Sequence, residues 1–229
     1  MLTILATNDD GWDAPGIHIA RAGLSSLGDV LVLAPAEPHS YCGHRVTTDA
    51  DLALVETAPG AFRLSGTPAD CVRAGLCSVF AERSIDWVIS GINRGGNLGA
   101  DIYTSGTVAA AREAALLGVP AIAISQYIRR ELPLDWATSI AQALPVIQDL
   151  IARGCEPKTF WNVNLPHLPD GPASEIIHCD PDHAPLDVRF SREGDLLRYA
   201  GSYQARERTP GRDVDHCFSG RITVSKLRL

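Results

Sequence analysis

This 229-residue sequence has no apolar run long enough to cross a membrane. It also lacks an excess of positive charge: 20 Lys and Arg stand against 27 Asp and Glu, a formal net charge of −7. Proteins that grip nucleic-acid polymers or membrane surfaces non-specifically show a basic face, so both classes of partner are disfavoured. A small anionic substrate stays open, because a few local positive groups or a metal override the global field. None of the six cysteines, at 42, 71, 77, 155, 179 and 217, forms a C-x-x-C pair. Neither a disulfide framework nor a zinc knuckle is indicated, and a reducing compartment fits better. Cys179 and His183 read as a partly buried thiol and a loop histidine rather than a metal pair. There is no internal repeat or low-complexity tract. Met1 runs straight into a strand without the basic start and small-residue cleavage site of a signal peptide, so a cytoplasmic location is expected.

What the chain does have is a 45% apolar fraction, enough for one large domain with a sizeable core. Its first two thirds alternate two kinds of segment. Leu2–Thr7, Asp29–Ala34, Trp87–Ser90, Ala121–Ser125 and Phe160–Asn164 read as strands. Ile17–Leu27, Pro68–Phe80, Val108–Leu117 and Trp136–Arg153 read as helices. Thr67 and Pro68 supply an N-cap and a first helical residue, and Gly118 closes the alanine-rich helix. Such alternation predicts an α/β fold, a mostly parallel sheet covered on both faces. The last third differs. Its Asp-Pro and Pro-Gly punctuation predicts a hairpin, roughly Pro185–Phe190 and Leu196–Tyr203 around a turn at Glu193-Gly194-Asp195, then a closing strand Arg221–Leu227. An excursion of this kind packs on a partner subunit or serves as a mobile flap.

The most informative stretch is LTILATNDDG, where an apolar strand ends in Asn8-Asp9-Asp10-Gly11. Two adjacent carboxylates repel, and burial adds to the cost unless something positive compensates. A divalent cation does this most economically, although a plain turn or helix cap has the same composition. Parallel strands would bring three polar clusters to one sheet edge: Asn8-Asp9-Asp10, the segment from Pro35 to Ser40, and Ser90–Asn97. Within them, Ser40 offers a hydroxyl, and Asn93 and Asn97 offer amide groups. Downstream, Ser105-Gly106-Thr107 opens the alanine-rich helix, and free N–H groups at a helix N-terminus suit an anion. An all-oxygen ligand set suits Mg²⁺ or Mn²⁺ better than zinc. A metal beside a phosphate suggests phosphoester hydrolysis.

Together, ILATNDDGWDAPGI, Ala34-Pro35 with Ser40, the stretch Gly66–Val72, SGINRGGNLG and YTSGTVAAAREAALLGVPAIAIS resemble the SurE family of survival proteins, metal-dependent 5′-nucleotidases. Val163–Pro166 and Gly220–Leu227 are similar more loosely. The resemblance spans nearly the whole chain. It implies a Rossmann-like three-layer sandwich with a C-terminal β-hairpin excursion. The single domain would cover 1–229, its core reaching to about 175 and the excursion with the closing strand filling about 176–229. It implies one divalent metal ion per subunit (Mg²⁺ or Mn²⁺), held by Asp9, Asp10, Ser40 and Asn93. It further implies that Asn8, Asn97, Ser105, Gly106 and Thr107 bind substrate around the phosphate. The implied substrates are nucleoside 5′-monophosphates, with 3′-monophosphates and short polyphosphate as further substrates. The implied partner is a second copy of the chain, as homodimer or homotetramer. Within this scheme Asp9 is the candidate to orient or deprotonate water and Asp10 the firmer ligand, the reverse remaining open. His44 is a candidate to protonate the leaving oxygen. Tyr41 departs from the small residue usual in the family, and the chain ends at Leu229, soon after its last strand. Two other readings compete: a phosphatase with an aspartyl-phosphate intermediate, which wants Asp-x-Asp rather than adjacent aspartates, and a nucleotide-binding regulatory protein without turnover.

Overall fold

Continuous apolar runs place four strands at the centre of the structure: β1 (Leu2–Thr7), β2 (Gly28–Pro35), β5 (Trp87–Arg94) and β6 (Ala121–Gln126). Buried on both faces, such strands need helices above and below. The structure is a computed structural model that describes residues 1–169, 171 and 175–229. Around the centre lie β3 (Leu54–Ala58), β4 (Ala61–Leu64), β7 (Thr159–Leu165), β8 (Ile176–His178) and β11 (Ile222–Arg228). Among the described residues the sheet runs β3-β4-β2-β1-β5-β6-β7-β11-β8. Pairing is parallel from β4 through β7; β3 runs antiparallel to β4, and β11 antiparallel to β7.

The helices divide between the faces. α1 (Pro15–Leu24) and α4 (Trp136–Arg153) cover one face, with Ile17, Leu24, Ile140 and Ile147 in a core with Ile4, Ile89 and Ile122. α2 (Pro68–Ala74) and α3 (Gly106–Leu116) cover the other, with Cys71, Val72, Val108 and Ala111 packed on Leu5, Leu33 and Val88. No helix among the described residues is long and apolar enough to cross a membrane.

The chain leaves β1 toward β2 on one side and later returns to build β5 on the other. That reversal opens a crevice at the carboxyl ends of β1 and β5, the usual ligand position in open α/β sheets. The expected α/β, mostly parallel architecture is therefore what the chain adopts.

Several boundaries shift for local reasons. α1 starts at Pro15, whose fixed φ suits a first helical residue, and stops at Leu24. Beyond it the Ser25 and Ser26 hydroxyls take the Ala22 and Gly23 carbonyls at 2.6 and 2.8 Å. α2 ends at Ala74 and the chain continues as a wider π-turn, Gly75–Val79. The hairpin strands are β9 (Phe190–Glu193) and β10 (Leu196–Tyr199), displaced from the expected spans. Glu193 pairs with Leu196, so the turn holds only Gly194 and Asp195, and the strands must abut it directly. A short helix, α5 (Asp213–Phe218), precedes β11.

Candidate active site

β1 delivers Asp9 and Asp10 to the crevice, and Gly11 then turns the chain at φ 103°, a conformation that favours glycine. Asp9 is held on both oxygens: Oδ1 accepts from the Thr107 hydroxyl at 2.6 Å and Oδ2 from the Thr107 amide at 3.1 Å. α3 thus begins directly against Asp9. A β-carbon at Gly106 would stand 2.8 Å from the Asp9 Cβ and 3.0 Å from the Cys42 sulfur, so only glycine permits this approach. Ser105 caps the helix, its Oγ accepting from the Val108 amide at 3.0 Å. Among the described residues Asp10 is held on one oxygen alone, Oδ2 accepting from the Arg94 amide at 2.9 Å.

Burial pushes the Asp9 carboxyl up to about 6; the Thr107 hydroxyl opposes that rise and the Asp10 charge adds to it. Burial also pushes Asp10 up, against the Arg94 amide and guanidinium. Among the described residues neither aspartate makes a salt bridge. The crevice therefore holds negative charge that no salt bridge compensates among the described residues, Arg94 acting on Asp10 only from a distance.

Asn93 lies near the end of β5, past a register shift against β6. Its Nδ2 donates to the Gly95 carbonyl at 2.8 Å, which leaves the amide oxygen as its unused donor atom for a ligand. The glycine-rich loop that follows is pinned from below. Asn97 Nδ2 donates to Ser125 Oγ at 2.7 Å, and the Asn97 amide donates to Asn164 Oδ1 at 2.7 Å. The Asn97 carbonyl accepts from Asn162 and Asn164 at 2.9 and 3.1 Å.

The loop bearing Ser40 is fixed from two sides. The His39 amide donates to the Asp9 carbonyl at 2.7 Å and the Gly43 amide to the Thr104 carbonyl at 2.9 Å. Farther along, Asp70 accepts from the Thr47 amide and hydroxyl, both at 2.8 Å, and Thr67 donates to the Arg45 carbonyl at 2.6 Å. The stretch Gly66–Val72 thus secures the tail of this loop.

One cleft of about 100 Å³ is lined by Asp9, Asp10, Ser40, Asn93, Asn97 and Ser105. Two other expected site residues serve as supports. Asn8 is fully buried and donates to the Gly11 carbonyl at 2.7 Å, shaping the turn beneath the carboxylates. Thr107 spends its hydroxyl on Asp9. His44 does not line the cleft; its Nε2 sits 2.6 Å from Oε2 of the buried Glu113.

Sequence reading missed the third wall. Tyr203 and Asp101 also line the cleft. The Tyr203 hydroxyl donates to Asp101 Oδ2 at 2.8 Å, and the buried Arg206 reaches the same oxygen at 2.7 Å. Partners more than a hundred positions apart leave no local pattern. Asn162 and Asn164 did leave one: two amides at strand spacing in an otherwise apolar segment.

A family profile described as "Survival protein SurE" matches residues 4–184. The chain belongs to the SurE family. A Synechocystis protein is 47% identical to this SurE chain over 229 residues, covering all of both. The "5′-nucleotidase SurE" of Paramagnetospirillum magneticum is 37% identical, over 99% of this chain and 89% of its own length. Among solved structures, the SurE protein from Aquifex aeolicus superposes with a TM-score of 0.88 at 31% identity, covering 99% of this chain and 93% of that one.

The cleft suits the metal that the family resemblance implies. Its donors are all oxygen: two carboxylates, the Ser40 hydroxyl and the Asn93 amide oxygen. Among the described residues no three His, Cys, Asp or Glu side chains cluster, so a cation here would rest on two carboxylates and neutral oxygens. That set fits Mg²⁺ or Mn²⁺, and the unpaired, burial-raised carboxylates are what a cation would compensate.

Proposed function

We propose that this protein is a metal-dependent phosphatase that hydrolyses nucleoside monophosphates to nucleoside and phosphate. The observation that carries the reading is the unpaired Asp9–Asp10 pair set against the N-terminus of α3 in one cleft with Ser40 and Asn93. Relatives of similar length named as 5′-nucleotidases support it. Asp9, Asp10, Ser40 and Asn93 would hold Mg²⁺ or Mn²⁺, which when bound neutralises phosphate charge and acidifies water.

The chain's own groups do the rest. Thr107 fixes both oxygens of Asp9, so this carboxylate keeps one orientation toward the cleft. Held in that orientation, Asp9 orients or deprotonates the attacking water. Among the described residues Asp10 Oδ1 accepts no hydrogen bond, and Asp10 suits the firmer metal contact. Water attacks phosphorus and gives up a proton toward Asp9, the bond from phosphorus to the nucleoside oxygen breaks, and that oxygen takes a proton from solvent. Asn97 and Ser105 flank the phosphate, where hydrogen bonds strengthen as charge develops. We also assign the apolar hairpin β9–β10 to the subunit contact of a homodimer or homotetramer, supported by its exposed Phe190, Leu196, Leu197 and Tyr199.

The test is phosphate release from AMP and GMP with Mn²⁺ or Mg²⁺, and again with EDTA. Turnover that EDTA abolishes is the expected result. Nucleotide binding without phosphate release in either metal would instead mark a regulatory binding protein.

A further inference from the structure

Tyr41 follows Ser40 and holds its backbone at φ 58°, a region that a β-carbon disfavours. Its side chain is 84% exposed, so the fold gains little apolar burial in return. The position is nonetheless fixed. On one side the His39 amide is bonded to the Asp9 carbonyl, and on the other the Gly43 amide is bonded to the Thr104 carbonyl. The ring is therefore mounted on the strand end that carries the aspartates and on the segment that leads into α3.

Tyr41 also borders two spaces. One is the small cleft of the aspartates. The other is a chamber of about 570 Å³ that shares Tyr41, Arg94, Gly95, Gly96 and Tyr203 with the cleft. A phosphate in the cleft would leave the rest of its ester in this chamber, whose volume suits a small organic group. Tyr203 forms the far wall, its hydroxyl bound to Asp101 and the Arg206 guanidinium 5.0 Å from the centre of its ring. Arg94 and Arg130, also on the chamber wall, make no salt bridge among the described residues. Of Tyr41 and Tyr203, Tyr41 is the exposed ring, and an exposed aromatic ring beside guanidinium groups binds a flat heteroaromatic ring by stacking.

We propose that Tyr41 is a specificity-determining residue that selects esters with an aromatic base on the leaving group, by stacking on that base where cleft and chamber meet. The proposal rests on the nucleotidase reading above and goes further by giving the base a contact.

The experiment compares kcat/KM for AMP and for ribose 5-phosphate, which has no base, in the wild type, Tyr41→Gly and Tyr41→Phe. Calorimetric binding of adenosine supplies a readout independent of turnover. Glycine adopts φ 58° without strain, so folding is not at risk. The AMP preference over ribose 5-phosphate should fall about tenfold in Tyr41→Gly, mainly through KM for AMP, with adenosine binding weakened by a similar factor. Tyr41→Phe should retain most of both. An unchanged ratio in Tyr41→Gly, or an equal loss on both substrates, overturns the proposal. Wild-type enzyme that turns over both substrates equally well overturns it too, while leaving the phosphatase reading in place. Wild-type enzyme that releases phosphate from no nucleotide overturns both.

Discussion

At the carboxyl ends of β1, β5, β6 and β7, polar side chains are buried and most are partnered, the Thr7 and Ser90 hydroxyls and the Asn8 and Asn162 amide oxygens being the exceptions among the described residues. In the hairpin β9–β10, apolar side chains are exposed: Phe190, Leu196, Leu197 and Tyr199 are each 59–65% accessible. The first arrangement is costly unless every group finds a partner, and most do: Thr107 for Asp9, Ser125 and Asn164 for Asn97, Arg206 for Asp101. The second gives up burial that the core could have used. The contrast shows where selection for something other than subunit stability acts. The crevice keeps two like charges together, and the hairpin carries apolar surface that its own subunit does not cover.

The largest effect should come from breaking the crevice side of this contrast. In Asp10→Asn the amide oxygen can still accept from Arg94, so the backbone contact survives. The charge is lost. We expect kcat/KM for AMP with Mn²⁺ to fall about a hundredfold to a thousandfold. Thermal stability should hold or rise, because a burial-raised carboxylate beside Asp9 is removed. Full activity across a range of Mn²⁺ concentrations would rule out the proposed role of Asp10.

A second test compares ion pairs in the two regions. Arg206 and Asp101 are 3% and 14% exposed, whereas Arg189 and Asp187, leading into the hairpin, are 62% and 31% exposed. Truncating a buried pair strands a charge. Arg206→Ala should cost about 3 kcal/mol in urea unfolding, at the lower end because Tyr203 still donates to Asp101. Arg189→Ala should cost less than about 1 kcal/mol. Equal costs would remove the distinction between a buried anchor and a solvated excursion.

Much of this was legible in the sequence because it depends on short-range pattern. β1, β2, β5 and β6 are uninterrupted apolar runs, and Asp9-Asp10 at the end of one of them signals uncompensated charge. The Ser40, Asn93 and Asn97 segments could be gathered because parallel strands end on one side. What was not legible depends on contacts distant along the chain. β3 is solvent-facing along most of its length and carries no clear alternation. In the sequence Thr107 reads as a phosphate donor, since a helix-opening hydroxyl serves an anion and a carboxylate equally well. Only the fold puts Asp9 in its reach. Asp101 meets Tyr203 and Arg206 across more than a hundred residues, so neither side of that contact predicts the other.

The smallest effect on the subunit itself should come from the hairpin, and it sharpens the contrast most directly. Leu196 lies opposite Glu193, and Leu197 opposite Arg192. Leu196→Lys combined with Leu197→Glu replaces two exposed leucines with charges complementary to those across the ladder. Cross-strand pairs of opposite charge contribute roughly 0.2–1 kcal/mol each, and exposed leucines lose almost no burial. The urea midpoint of the subunit should therefore move little, within about 0.5 kcal/mol in either direction. Sedimentation equilibrium should instead report a lower assembly mass, because two apolar side chains leave the proposed contact and two charges would need desolvation there. If the subunit unfolds much more easily while the assembly mass is unchanged, the hairpin supports its own chain rather than a neighbour, and the opposition between crevice and hairpin does not hold.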